Sequence, residues 1–184
     1  MQWILWIIVL AVIFSAAIAG LSAAPWLPTK PSQRRRLLEK IDFSKAKTVI
    51  DLGCGDGSVL FAIAKKHPKI IAKGCDINIL PFLAGVMRKI FRFKKYRNVK
   101  LAFANLYSYQ TNDADIIFVF LLPNSYPKLI KKFSAELKDE AIAIVEAWPF
   151  PNVEPTQTIK EDGLLPIYLY SGKDLRSHVQ KASA

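Results

Sequence analysis

Thr48-Val-Ile-Asp-Leu-Gly-Cys-Gly-Asp-Gly-Ser58 is the stretch whose reading decides the fold. Val49, Ile50 and Leu52 are the apolar residues of a buried strand. Gly53, Gly55 and Gly57 form a turn, and Val59-Leu-Phe-Ala-Ile-Ala64 continues as a helix. Glycine adopts backbone dihedrals that other residues avoid. With side chains absent at these positions, a ligand can lie against main-chain N–H groups at the start of the helix. The spacing is G-x-G-x-G followed by Ser58, which does not meet the G-x-G-x-x-G dinucleotide fingerprint. Asp51 stands two residues before the first glycine, where it would repel a pyrophosphate and attract a cationic amino group. D-x-G-x-G alone also fits an ordinary tight turn, so the rest of the chain has to decide.

The first helix stops at Pro68, and a second strand over 70–75 ends at Asp76. That acid lies about twenty residues beyond the glycines, where nucleotide-binding α/β folds place a carboxylate that accepts hydrogen bonds from ribose hydroxyls. Asp51 and Asp76 together match a cationic amino acid joined to a ribose. S-adenosylmethionine has an ammonium, a sulfonium and no phosphate, and it is the expected cofactor. A helix is predicted over 78–95, with Pro81 in its first turn and Leu83, Val86, Met87 and Ile90 as its inner stripe. Strands follow over 99–104 and 115–122. The second of these is continuously apolar, as in a central parallel strand covered on both faces. Leu129, Ile130, Phe133 and Leu137 recur at helical spacing, and a fifth strand over 141–145 ends at Glu146. Residues 156–161 and 167–171 are expected to pair as a hairpin across Asp162-Gly163. The alternation predicts a doubly wound, Rossmann-like α/β sheet.

From Gln2 to Ala24 the sequence has no charged residue. As a helix it would reach roughly 30 Å, the thickness of a bilayer core. A cleaved signal peptide competes, because Ala17-Ile-Ala19 resembles a cleavage site, yet no Lys or Arg precedes the apolar run. The basic residues Lys30, Arg34, Arg35 and Arg36 come after it, which favours a retained single-pass membrane anchor with the remainder cytoplasmic. The expected organisation is an anchor over 1–24, a linker and short helix over 25–45, a catalytic domain over 46–175 and a tail over 176–184. The net charge of +11 calls for an acidic partner, a nucleic acid or a membrane surface. The basic stretch from Arg88 to Lys100 fits a solvated face or membrane apposition equally well. No nucleic-acid module accompanies it, so no nucleic acid is expected. Cys54 and Cys75 lack zinc-ligand spacing and read as small buried thiols, and no metal is expected.

These residues resemble the class I S-adenosylmethionine-dependent methyltransferases from Thr48 to about Val145. Asp51, Gly53, Gly55 and Gly57 match the first motif of that class, Asp76 the second, and Asn105-Leu106 the adenine-contacting position after the third strand. The chain is also similar to the small membrane-anchored lysine methyltransferases that modify the adenine nucleotide translocase and the c-ring protein of ATP synthase. The carriers of that likeness are the apolar N-terminal segment, Pro25-Trp-Leu-Pro-Thr29, Phe120-Leu-Leu-Pro123 and Phe150-Pro151. The chain departs from that family where Asn105-Leu-Tyr107 replaces Asp-Leu-Trp and Asp76-Ile-Asn78 replaces Glu-x-Asn. Both changes conserve hydrogen-bonding capacity.

The resemblance implies a seven-stranded sheet and a lysine acceptor, with Thr29 over the cofactor. Leu121, Leu122 and Pro123 are expected either to shape an acceptor channel or to serve as plain core. No catalytic residue is singled out. The expected activity is methylation of a lysine on a membrane protein. A lipid or other hydrophobic small molecule is an alternative acceptor, and a non-catalytic cofactor-binding scaffold an alternative role. The stretch after the fourth strand lacks Asn/Asp-Pro-Pro-Tyr, which argues against the usual amino methylation of adenine or glutamine.

Overall fold

A computed structural model describes residues 2–22 and 28–182, with the side chains at 8, 11, 12, 15, 16 and 18–22 outside the description. Its centre is a sheet of seven strands: β1 Thr48–Leu52, β2 Ile71–Asp76, β3 Val99–Phe103, β4 Ile116–Val119, β5 Ile142–Glu146, β6 Gln157–Ile159 and β7 Ile167–Ser171. The spatial order is β3-β2-β1-β4-β5-β7-β6. The first five strands are parallel, while β7 runs antiparallel to β5 and β6 antiparallel to β7. The expected hairpin across Asp162-Gly163 is therefore the β6–β7 pair. Every residue of β1 and β4 is buried, because helices cover both faces of these central strands.

The helices are α1 Gln2–Ser22, α2 Pro31–Lys40, α3 Ser58–Lys66, α4 Ile79–Phe91, α5 Tyr126–Glu136 and α6 Gly172–Ala182. Strand alternation sorts the core into two layers. Ile50, Leu52, Ile117, Val119, Ala143 and Val145 pack with Leu129 and Phe133 of α5. Val49, Ile116, Phe118 and Ile144 pack on the other side with Leu37 of α2 and with Val59 and Ile63 of α3. Asp51 is registered with Phe118, so it lies on the α2–α3 face at the carboxyl edge of the sheet.

Several expectations are revised. Of the expected inner stripe of α4, Val86 is half-buried and the rest does not face inward. Pro81 and Gly85 are its buried positions, while Leu83, Met87 and Ile90 are exposed. The reason is steric: a Cβ on Gly85 would come within 2.9 Å of the Asp56 carbonyl oxygen, so this close approach selects the inner face. The helix also ends at Phe91 instead of Lys95. β4 is shorter than expected, because the chain leaves the ladder after Val119. Of the residues read as a tail, 176–182 belong to α6, which packs on α5, and 183–184 lie outside the described residues.

The expected transmembrane helix over 1–24 is not found in the described part of the structure. The α1 helix covers 21 residues, but among the described residues no helix is long and apolar enough to cross a membrane. Pro25, Trp26 and the rest of 23–27 lie outside the described residues.

Candidate active site

The turn after β1 is built as its glycines require. Gly53, Gly55 and Gly57 have φ of 79°, 53° and 70°, all in the left-handed region that other residues avoid. Gly57 is also the N-cap of α3. One expectation about this turn changes. The Gly53 and Cys54 N–H groups both donate to the Cys75 carbonyl, at 2.9 and 3.0 Å, and Gly57 N–H donates to the Cys54 carbonyl at 2.8 Å. Gly55 N–H donates to Asp76 Oδ2 at 2.7 Å. These donors are satisfied within the protein. The turn therefore serves a ligand by its shape and bare surface more than by a ring of free N–H groups.

Two acids bracket this turn. Asp76 ends β2, and its other oxygen, Oδ1, accepts from Asn78 N–H at 2.7 Å. Burial pushes its carboxyl above the usual range, and these backbone N–H groups oppose that shift. Asp51 is almost fully buried, and no described residue offers it a hydrogen bond or an ion pair. Burial first, then the charges of Asp76, Asp56 and Glu146, hold its carboxyl well above the ordinary value. To ionise there, a carboxyl surrounded by other acids needs an external cation; without one it keeps its proton. A ligand ammonium meets that need, and a phosphate would worsen the repulsion. The acids present therefore fit S-adenosylmethionine, which carries an ammonium, a sulfonium and no phosphate.

The remaining sequence candidates are placed unevenly. Asn105 is exposed, and its Oδ1 accepts from Tyr107 N–H at 2.9 Å, so the side chain braces its own turn. This turn adjoins Asp76, because Ala104 N–H donates to the Asp76 carbonyl. Leu106 sits in the core with Leu52 and Cys75. Leu121 is core as well, and a Cβ on Gly53 would meet its Cδ2 at 3.0 Å. Leu122 is half-buried and Pro123 exposed, so the segment climbs from core to surface beside the glycine turn. Its shape is fixed from below, since Tyr126 Oη donates to the Leu121 carbonyl at 2.9 Å. Thr29 is buried just before α2, and its carbonyl accepts from the Arg34 guanidinium. Cys54 and Cys75 are buried free thiols; burial raises both, Cys75 to about 12.

Sequence reasoning passed over a second polar group on the same face. Glu146 ends β5 and is 1% exposed, with neither carboxylate oxygen hydrogen-bonded to a described residue. Burial raises its carboxyl to about 7, against the pull of Arg36. Arg36 and Gln33 of α2 are also buried. The Arg36 guanidinium donates to the Leu165 carbonyl, but its Nε and Nη1 lack partners among the described residues, as do both amide atoms of Gln33. Directly after Glu146, Ala147 takes a φ of 78°, a strained conformation for a residue with a side chain. The only sequence signal was an acid closing a strand. The burial of α2 residues that look like a basic surface helix required the tertiary structure.

The sequence model for the ANTKMT methyltransferase domain matches residues 51–157. A protein-lysine N-methyltransferase of Saccharolobus islandicus (strain REY15A) is 30% identical over 152 residues, spanning 79% of this chain and 92% of that protein. A lysine N-methyltransferase of Xenopus laevis, named for the c-ring protein of ATP synthase, is 27% identical, and the match spans 79% of this chain but 62% of the relative. Among solved structures, an RNA methyltransferase from Salinibacter ruber in complex with S-adenosyl-L-homocysteine superposes with a TM-score of 0.70 at 20% identity. That match covers 79% of this chain and 93% of the other, and at such identity it speaks for the fold alone.

Proposed function

Because this chain belongs to the ANTKMT methyltransferase domain family and is an S-adenosylmethionine-dependent methyltransferase, we propose that it methylates a lysine side chain of a membrane protein. The observation that carries the cofactor site is Asp51, a buried carboxylate with no partner among the described residues. The lysine acceptor rests on the named activity of the archaeal and vertebrate relatives. The membrane setting rests on the uncharged sequence from Gln2 to Ala24, with basic residues on its carboxyl side, read as a retained single-pass anchor with the catalytic domain cytoplasmic.

Bound in the site, S-adenosylmethionine supplies an electrophilic methyl carbon on a sulfonium leaving group. The protein's task is positioning. Asp51 would hold the amino group and Asp76 the ribose hydroxyls, with Thr29, Asn105 and the Leu106 backbone completing the enclosure. Leu121, Leu122 and Pro123 border the path by which the acceptor enters. The lysine must arrive neutral, and a desolvated site beside a cation lowers an amine's pKa. No dedicated general base is then required.

Incubating membranes with isotope-labelled S-adenosylmethionine and the purified full chain tests the proposal. Label in the protein fraction, mapped by mass spectrometry to a lysine, is the expected result. Label in the lipid extract would replace the acceptor with a lipid. Cofactor binding without label in either fraction would reduce the protein to a binding scaffold.

A further inference from the structure

The α4 helix, which α1 touches, carries an apolar stripe whose side chains the described fold leaves exposed. Leu83, Met87 and Ile90 are 50, 47 and 59% exposed, and Leu80 precedes them on the same stripe at 57%. Spacings of three and four residues put all four on one side of the helix. Phe91 is 78% and Phe93 63% exposed where the helix ends. Single exposed apolar residues are ordinary, but a continuous stripe ending in two bare phenylalanines marks an interaction surface.

Charge identifies what covers it. No acidic residue occurs between Asp76 and Asp113. Within that interval Arg92, Lys94, Lys95, Arg97 and Lys100 are at the surface, at and beyond the carboxyl end of the helix. An apolar stripe bordered by basic side chains is the pattern of a helix lying in a membrane interface, apolar side down, with cations among anionic headgroups. Such headgroups contribute about 1 kcal/mol per basic residue near the surface. A protein partner would have to bring its own acids to these cations, because this stretch of the chain has none.

The helix is also coupled to the cofactor turn. Gly85 lies against the Asp56 carbonyl, and Arg88 pairs with the Asp56 carboxylate at 3.3 Å. Its amino end begins directly after Asp76 and Asn78.

We infer that the outward face of α4 is a second membrane contact, which lies in the interface of an anionic bilayer and holds the carboxyl edge of the sheet against it. This rests on the proposed membrane setting and assigns a further surface, beside α1. The test uses the full chain with Met87→Cys, labelled with an environment-sensitive fluorophore; the native cysteines are buried. A control carries the label at Asp162→Cys on the exposed hairpin. Vesicles contain phosphatidylcholine with or without phosphatidylserine, plus lipids bearing a shallow quencher.

The expected result is quenching at position 87 and not at 162, present with phosphatidylserine and lost in high salt. Each basic residue from 92 to 97 changed to Gln should weaken docking of α4 about fivefold. Cosedimentation of the chain with vesicles, without selective quenching at 87, would overturn the inference while leaving the anchor intact. Absence of cosedimentation would instead overturn the anchor, and the inference with it. Protection of the label by a membrane protein and not by lipid would assign the face to a protein partner and overturn the lipid assignment.

Discussion

Gly55 N–H donates a 2.7 Å hydrogen bond to Asp76 Oδ2, joining the glycine turn after β1 to the acid that ends β2. The two halves of the proposed cofactor site are thus one hydrogen-bonded unit. Asp76 braces the turn with one oxygen and, with its unused lone pairs, remains available to a ribose hydroxyl.

Asp76→Ala removes brace and ribose acceptor together. Hydrogen bonds to a charged group are worth about 1.5–3 kcal/mol, so cofactor affinity should fall between roughly tenfold and a hundredfold. Asp76→Asn keeps an acceptor oxygen and should lose less. Calorimetric titration with S-adenosylmethionine ranks the two. Equal affinity for wild type and the alanine variant would remove Asp76 from the site.

Asp51 has a raised carboxyl in the free protein, and a bound ammonium stabilises its charged form. Binding should therefore release a proton, and affinity should rise with pH as Asp51 ionises without help. Titrations in buffers of differing ionisation enthalpy measure the release directly. Asp51→Asn should bind more weakly and abolish the proton release.

Glu146 couples stability to pH in the opposite sense from a salt-bridged acid. Its carboxyl is raised from 4.5 to about 7, so the folded state holds the proton more tightly than the unfolded chain. Stability is then lost as pH rises from about 4.5 to about 7, by roughly 3 kcal/mol across that window. Glu146→Gln should unfold at a higher temperature than wild type at pH 8, with the gap closing by pH 4. If the variant also loses methyl transfer, the unpaired acid is kept for function at the expense of stability. Thermal unfolding of the full chain in detergent, beside an activity assay, reads both.

Gly53→Ala forces an alanine into a φ of 79° and sets its Cβ 3.0 Å from Leu121. The left-handed backbone alone costs about 1–2 kcal/mol. Gly53→Ala combined with Leu121→Ala should relieve the contact but not the backbone strain. The double variant should therefore be less destabilised than the sum of the two single changes. Simple additivity in urea unfolding would show that the turn and Leu121 are not packed together.

What the sequence determined by itself was local and periodic. The apolar Val49, Ile50 and Leu52, the three glycines, Asp51 within β1 and Asp76 at the end of β2 specify strand, turn and ligand chemistry within about thirty residues. The alternation of strands and helices then leaves few sheet topologies open. Even the β6–β7 hairpin was legible, because Asp162-Gly163 is a turn signal between two strand-like stretches. Only the tertiary structure decided what depends on distant contacts. Helical periodicity shows that Leu83, Met87 and Ile90 share a face of α4 but not which way it points; Gly85 against the Asp56 carbonyl settled that. Arg36 and Gln33 belong to a helix whose composition reads as surface, yet its packing on the sheet buries them near Glu146. The glycine turn itself was sharpened in the same way. Its dihedrals were foreseen from glycine's missing side chain, whereas the capture of its N–H groups by Cys75 and Asp76 needed β2 alongside.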